Sequence, residues 1–219
     1  KQDERKIVYD LLPRKFKIAV TGAKQDRALV QCHDIGLEFF INKNKRMAIK
    51  VWVGGGLGRT PIIGSVIKNE LGWEHILTYC EAILRVYNLY GRRDNMYKAR
   101  IKILVKSLGI DAFKELVENE WQYIKNGPNT INTEELNRIG EFFSEPNYKK
   151  NIKSNLSDYI DEKAFGQWLS KCTNTHKKKG YRAVTFSLKE TGRAPGDASS
   201  SQMRAVADLS NEYSFGEIR

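Results

Sequence analysis

Apolar and polar positions alternate along residues 14–22. Lys15 and Lys17 fall on one face of an extended chain, and Phe16 and Ile18 on the other, which is the two-residue period of a strand. Pro13 blocks a helix ahead of it, because the residue before a proline is pushed out of the helical region. Two more strands are predicted at residues 35–42 and 47–53, joined by an asparagine-bearing hairpin turn at 42–46. The period then changes. Ile76, Tyr79, Cys80, Ile83, Val86 and Tyr87 recur at three- and four-residue intervals and predict a helix over residues 73–90, with Gly91 as its C-cap. Asp94 is the expected N-cap of a second helix at 95–108, closed by Gly109, and Asp111 opens a third that runs to Ile124. Residues 126–133 read as a loop, and a short helix follows from Thr133 to Phe143.

The stretch 144–157 is polar, rich in Lys and Asn, and reads as a linker. Beyond it the pattern predicts a helix at 163–172, a strand at 181–188, a helix at 199–213 and the start of a strand at 215–219. The expected fold class is α/β, a mixed or antiparallel sheet with flanking helices. Three segments are expected: residues 1–127, a helical linker at 128–160, and a third at 161–219 that stops in mid-element. Together with a first residue that is not Met, this reads as an internal piece of a longer chain.

Composition narrows the class. A hydrophobic content of 41% with 17 glycines among 219 residues suits a folded protein and argues against wholesale disorder. Cys32, Cys80 and Cys172 are odd in number and widely spaced, so neither a disulfide framework nor a zinc site is written here, and a reducing, cytoplasmic setting is expected. No apolar run is long enough for a membrane span, and the charged residues 1–6 do not resemble a signal peptide. The 37 Lys+Arg against 26 Asp+Glu leave a net charge of +11, which by itself suits a nucleic acid or another polyanion.

Three features carry candidate chemistry. Lys15 and Lys17, two residues apart on one strand face, lie roughly 7 Å apart at the backbone, close enough to converge on one small anion; a solvated basic edge strand is the alternative. Gly54, Gly55 and Gly56, with Leu57 and Gly58, follow a strand and suit either an anion-cradling nest of amides or a flexible turn. Arg92 and Arg93, with Lys98, Arg100 and Lys102 after them, form a second basic cluster, suited to an anion or to internal ion pairs. His33, His75 and His176 are too far apart for a ligand set.

The order of these motifs resembles a known family. Leu12-Pro13-Arg14-Lys15-Phe16-Lys17-Ile18, Asp34-Ile35-Gly36, Val53 to Gly58, Glu81 to Arg85, Arg92-Arg93-Asp94 and Lys98 to Lys102 look like the siroheme-dependent nitrite/sulfite reductases. Within that family the haemoprotein component of assimilatory sulfite reductase is the nearest pattern. Gly180-Tyr181, Pro195-Gly196-Asp197, Gln202-Met203, Ala207-Asp208-Leu209 and residues 213–219 resemble the opening of the family's second ferredoxin-like half-repeat, here truncated. The resemblance implies a siroheme- and substrate-binding domain at 1–127, the linker at 128–160, and that half-repeat from 161.

By the same resemblance, Lys15 and Lys17 bind the oxyanion and supply protons, while Arg14 meets one of the eight siroheme carboxylates. Gly54, Gly55 and Gly56 would offer backbone amides near the macrocycle. The reaction implied is the six-electron reduction of sulfite to sulfide, or of nitrite to ammonia. Electrons would come from ferredoxin or an NADPH-fed flavoprotein, through a [4Fe–4S] cluster whose cysteines lie outside this chain. The piece alone is expected to be inactive. The competing expectation is a non-catalytic, basic nucleic-acid-binding fragment, whose binding would weaken steeply with salt.

Overall fold

A computed structural model describes residues 12–150, 163–189, 191, 192 and 194–218. The chain divides into two units, Lys1–Phe142 and Phe143–Arg219. The first is built on a four-stranded sheet in the order β1 (Ile18–Thr21), β2 (Ile35–Ile41), β3 (Met47–Val53), β4 (Ser65–Gly72). The alternating residues of β2 and β3 pair as the expected antiparallel hairpin, with Glu38 opposite Lys50. Asn42 makes its turn, its side-chain oxygen accepting from the amides of Asn44 and Arg46.

β1 runs parallel to β2, so the sheet is mixed. A parallel pair needs a crossover, and residues 22–34 provide it. The crossover's 3-10 turn, Val30–Cys32, lies so close to the sheet that a Cβ on Gly36 would stand 2.3 Å from the Val30 carbonyl oxygen. The strand expected over residues 14–22 is shorter than its alternation suggests, because β2 begins only at Ile35 and leaves residues 14–16 no neighbour to pair with. β4 is not legible in the alternation at all. Lys68, Asn69 and Glu70 interrupt its apolar residues, and the pairing with β3 shifts register near Val51, as at a bulge.

Four helices follow: α1 (Ile76–Tyr90), α2 (Ile101–Leu108), α3 (Ile110–Ile124) and α4 (Thr133–Glu141). The helix expected over 95–108 is split. Asn95, rather than Asp94, caps a 3-10 turn at Met96–Lys98, Arg100 is extended, and α2 starts one residue later. Gly91 ends α1 without the left-handed conformation of a C-cap glycine, at φ −67°. Its missing Cβ serves packing instead, since one placed there would lie 2.4 Å from the Tyr87 carbonyl oxygen and 2.7 Å from Pro13 Cγ. Asn132, rather than Thr133, caps α4 by accepting from the Glu135 amide at 2.7 Å.

One sheet face makes the core. Ile35, Leu37, Ile49, Val51, Val53, Ile67 and Leu71 pack against Tyr79, Ile83 and Tyr87 of α1, Ile101 and Leu104 of α2, and Phe113, Val117 and Trp121 of α3. Each of the larger side chains buried there contributes about 1.5–3 kcal/mol. A polar bridge crosses this interface. Tyr79 Oη donates to Glu118 at 2.8 Å, and the same carboxylate holds Lys68 at 3.0 Å, with that ammonium 4.7 Å from the Trp121 ring centre.

The second unit contains α5 (Lys163–Cys172), a two-stranded antiparallel ribbon of β5 (Thr173–Thr175) and β6 (Arg182–Val184), and α6 (Ser200–Tyr213). Ser199 and Gln202 close α6 with a reciprocal capping box. The strand expected at 215–219 is not formed over its described residues. Phe215 and Gly216 turn back at positive φ, the Gly216 amide reaches the Ser210 carbonyl, and Phe215 packs on Tyr148 and Tyr181. Of the expected linker at 144–157, residues 151–157 lie outside the described residues.

Candidate functional site

Lys15 and Lys17 sit just before β1, not within it, and both are exposed on either side of the half-buried Phe16. Among the described residues neither ammonium forms an ion pair. Their backbone is tied down. The Lys17 amide donates to Asp34 Oδ2 at 3.0 Å, and the Lys17 carbonyl accepts from the Ile35 amide at 3.1 Å, so a side chain closes the ladder where β2 no longer supplies a carbonyl. Tyr87 Oη lies 3.0 Å from the Arg14 carbonyl and 2.8 Å from that of Ala99, donating to one at a time. Arg14 Nη1 donates to the Met96 carbonyl at 2.6 Å, and the other N–H groups of its fork have no acceptor among the described residues.

The glycine loop is near this segment in the fold through Asp34. The Gly54 amide donates to the Asp34 carbonyl at 3.0 Å, and Gly56 exchanges both main-chain bonds with Ile62. Two of the three amides expected to face a macrocycle are therefore spent inside the protein. The glycines have internal reasons as well. Gly54 holds φ +79°, a Cβ on Gly55 would stand 2.1 Å from the Gln31 carbonyl oxygen, and one on Gly56 would lie 3.2 Å from Lys102 Cδ and 3.3 Å from Arg100 Nη2. The Gly55 amide is left as the loop's open donor among the three.

Lys102, of the second basic cluster, and Asp34, which the sequence did not single out, complete the region. Lys102, on α2, is buried, and its ammonium points at the carbonyls of Gly56, Leu57 and Thr60, closing the loop from behind. Burial, with the Arg100 charge adding to it, holds that ammonium below the usual lysine range. Asp34 has a side chain only 1% exposed and receives Arg100 in a two-pronged pair, Nε to Oδ1 at 2.9 Å and Nη2 to Oδ2 at 2.6 Å. The signal for Asp34 in the sequence is slight, a lone acid beside Ile35 and Gly36.

Of the second basic cluster, Arg100 is thus an internal partner. Arg92 pairs with Asp94, and Arg93 bonds the Gly91 carbonyl and Asn88 at the end of α1. Arg85 is held between Glu81 and Glu120. Several cations of this unit are therefore spent on carboxylates, whereas the half-buried Arg14 and the exposed Lys15 and Lys17, in the segment before β1, join none of these ion pairs. Cys32, Cys80 and Cys172 are free thiols, and no group of His, Cys, Asp or Glu able to hold a metal ion occurs among the described residues. No helix there is long and apolar enough to cross a membrane.

A mixed sheet backed by three helices, with a cationic segment and a glycine loop meeting at its edge, can be compared with known proteins. Residues 2–125 match the family described as "Nitrite and sulphite reductase 4Fe-4S domain". The chain belongs to that family. It is 32% identical over 113 residues to "Sulfite reductase [ferredoxin] 1" of Mycolicibacterium paratuberculosis, covering 52% of this chain and 20% of the relative. It is 32% identical over 126 residues to the "Sulfite reductase [NADPH] hemoprotein beta-component" of Staphylococcus saprophyticus, covering 53% and 22%. A solved structure described as "Structure of Mycobacterium tuberculosis NirA protein" aligns at TM-score 0.47 and 28% identity, over 51% of this chain and 20% of that one. The chain spans about a fifth of the length of these curated relatives.

Proposed function

We propose that this chain carries the siroheme- and substrate-binding part of a longer sulfite or nitrite reductase, with Lys15 and Lys17 as its catalytic pair. The observation that supports this reading best is an exposed lysine pair whose backbone is anchored on both sides while the ammonium groups stay outside every described ion pair. Two cations on one side of an extended segment offset the charge of an oxyanion. The same ammonium groups are N–H donors beside a bound oxyanion, so the pair that binds the substrate is also the one placed to protonate it. Arg14 offers the free prongs of its fork to a cofactor carboxylate. Of the glycine loop, Gly54 and Gly56 shape the chain, and the Gly55 amide is the donor left to offer a cofactor.

Siroheme, when bound, supplies the redox centre for the six-electron reduction of sulfite to sulfide or of nitrite to ammonia. The half-buried Arg14 and the exposed Lys15 and Lys17 suit its carboxylates and the substrate's charge. The described residues do not suit a [4Fe–4S] cluster, which needs closely spaced thiolates; its cysteines belong to other parts of the parent chain, and no step runs through it here. The electron donor is ferredoxin or an NADPH-fed flavoprotein, the setting cytoplasmic, and the second unit the opening of a second ferredoxin-like half-repeat.

The test uses the full-length gene product that contains this sequence. Lys15→Met and Lys17→Met are expected to keep siroheme absorption while lowering sulfite or nitrite turnover by about a hundredfold. Arg14→Ala is expected to lower siroheme content. Unchanged turnover and anion affinity in both lysine variants would overturn the assignment.

A further inference from the structure

We infer that Asp34 is a positioning residue that sets where Lys17 stands relative to the glycine loop, and that Arg100 serves to cancel the charge Asp34 brings. The inference rests on the substrate-site reading above. Asp34 is the only acidic residue among the buried described residues of the chain. Its two peptide-level contacts go to the two segments that carry candidate site residues: its carboxylate accepts the Lys17 amide, and its main-chain carbonyl accepts the Gly54 amide. The first of these falls outside the regular ladder, because the pairing of β1 with β2 begins only at Ile18 and Ile35. The side chain replaces a strand carbonyl and carries the parallel pairing one residue further, so that Lys17 leaves the sheet at a defined angle.

A carboxylate in that place carries a hazard. It sits one residue from β2 and bonds directly to the lysine segment, and uncompensated it would draw the Lys17 ammonium inward and repel an anion. Arg100 removes the hazard. The break between the 3-10 turn and α2 leaves Arg100 extended, at φ −72° and ψ 153°, and its fork covers both oxygens of Asp34. The pair is neutral as a unit. The field at the site is then that of Arg14, Lys15 and Lys17. The same guanidinium lies 3.3 Å from where a Cβ on Gly56 would be, so the pair also packs against the loop.

The experiment is a double-mutant cycle in the full-length, siroheme-loaded protein, read by sulfite affinity and by amide hydrogen exchange at residues 15–20 and 53–56. Arg100→Gln alone leaves the carboxylate uncompensated and is expected to weaken sulfite binding about tenfold; Asp34→Asn/Arg100→Gln, a neutral pair with the same hydrogen-bonding shape, is expected to restore it to within about twofold. Asp34→Ala is expected to speed exchange of the Lys17 and Gly54 amides, and Asp34→Asn, which keeps an acceptor for Lys17, to leave them protected. Equal affinity loss in Arg100→Gln and the double variant, or unchanged Lys17 exchange in Asp34→Ala, would overturn the inference. If Lys17→Met leaves sulfite affinity unchanged while the exchange results hold, the substrate-site reading fails and the strut alone stands. Should Asp34→Ala not fold, Asp34→Asn and the double variant still decide the matter.

Discussion

Tyr87, buried on α1, holds the main chain of Arg14, 73 residues earlier in sequence, by a 3.0 Å contact between its hydroxyl and the Arg14 carbonyl. The same oxygen is 2.8 Å from the Ala99 carbonyl, so one phenol joins the segment bearing the lysines to the turn ahead of α2. Burial, above all, raises the phenol's pKa, which keeps it a donor at any ordinary pH. Tyr87→Phe removes the donor and leaves both carbonyls unpaired. It is expected to lower stability by about 1–2 kcal/mol in urea titration, with faster amide exchange around Arg14.

Gly55 and Gly58 are expected to separate by substitution to alanine. A Cβ on Gly55 would press into the Gln31 carbonyl, whereas one on Gly58 has nothing within 4 Å and meets only the cost of φ +99°. Gly55→Ala should lose about 3 kcal/mol or fail to fold. Gly58→Ala should lose only about 1–2 kcal/mol. Thermal unfolding distinguishes them.

Lys102→Met keeps the aliphatic stem but strips the ammonium from three loop carbonyls. A loss of about 1–3 kcal/mol is expected from the Leu57 and Thr60 carbonyls left without a donor, the Gly56 carbonyl keeping its bond from the Ile62 amide. Limited proteolysis should then cut within residues 56–62 sooner than in the parent protein.

The protein should lose stability in alkali. Burial pushes the Cys80 thiol up from 9.0 to about 12, and burial followed by the Glu118 contact raises Tyr79 as well. An acid whose folded pKa is raised binds its proton more tightly when folded. Its contribution is complete below the unfolded pKa and drains away as pH rises through the folded one. For Cys80 that window runs from about pH 9 to about 12. Cys80→Ala should flatten the fall in unfolding free energy across it, and a thiol reagent at pH 8 should label the half-buried Cys80 more slowly in the folded protein than after unfolding.

The hairpin of β2 and β3, the apolar stripe of α1 and the spans of α3 and α6 were legible because each is written in local sequence: a two-residue or 3.6-residue period and a turn asparagine. β4 was hidden because a bulge breaks its period, and the helix over 95–108 was misread because nothing local says that Arg100 must unwind to reach Asp34. Gly91 caps α1 as its position suggests, yet what requires a glycine there, as at Gly55, is room for a distant atom, of Pro13 in one case and Gln31 in the other.

For the candidate site the division is the same. By itself the sequence determined that Lys15, Phe16 and Lys17 alternate, that glycines follow β3, and that the chain carries the motif order of the nitrite and sulphite reductases. Only the tertiary structure decided which charges face outward. Arg92 and Arg100 are consumed by Asp94 and Asp34, Lys102 is turned into the loop, and Lys15 and Lys17 remain exposed. The physical reason is that a strand or helix is specified by neighbours a few residues away, whereas a charge is satisfied or left open by whatever the fold brings within a few ångströms, here across 66 residues between Asp34 and Arg100.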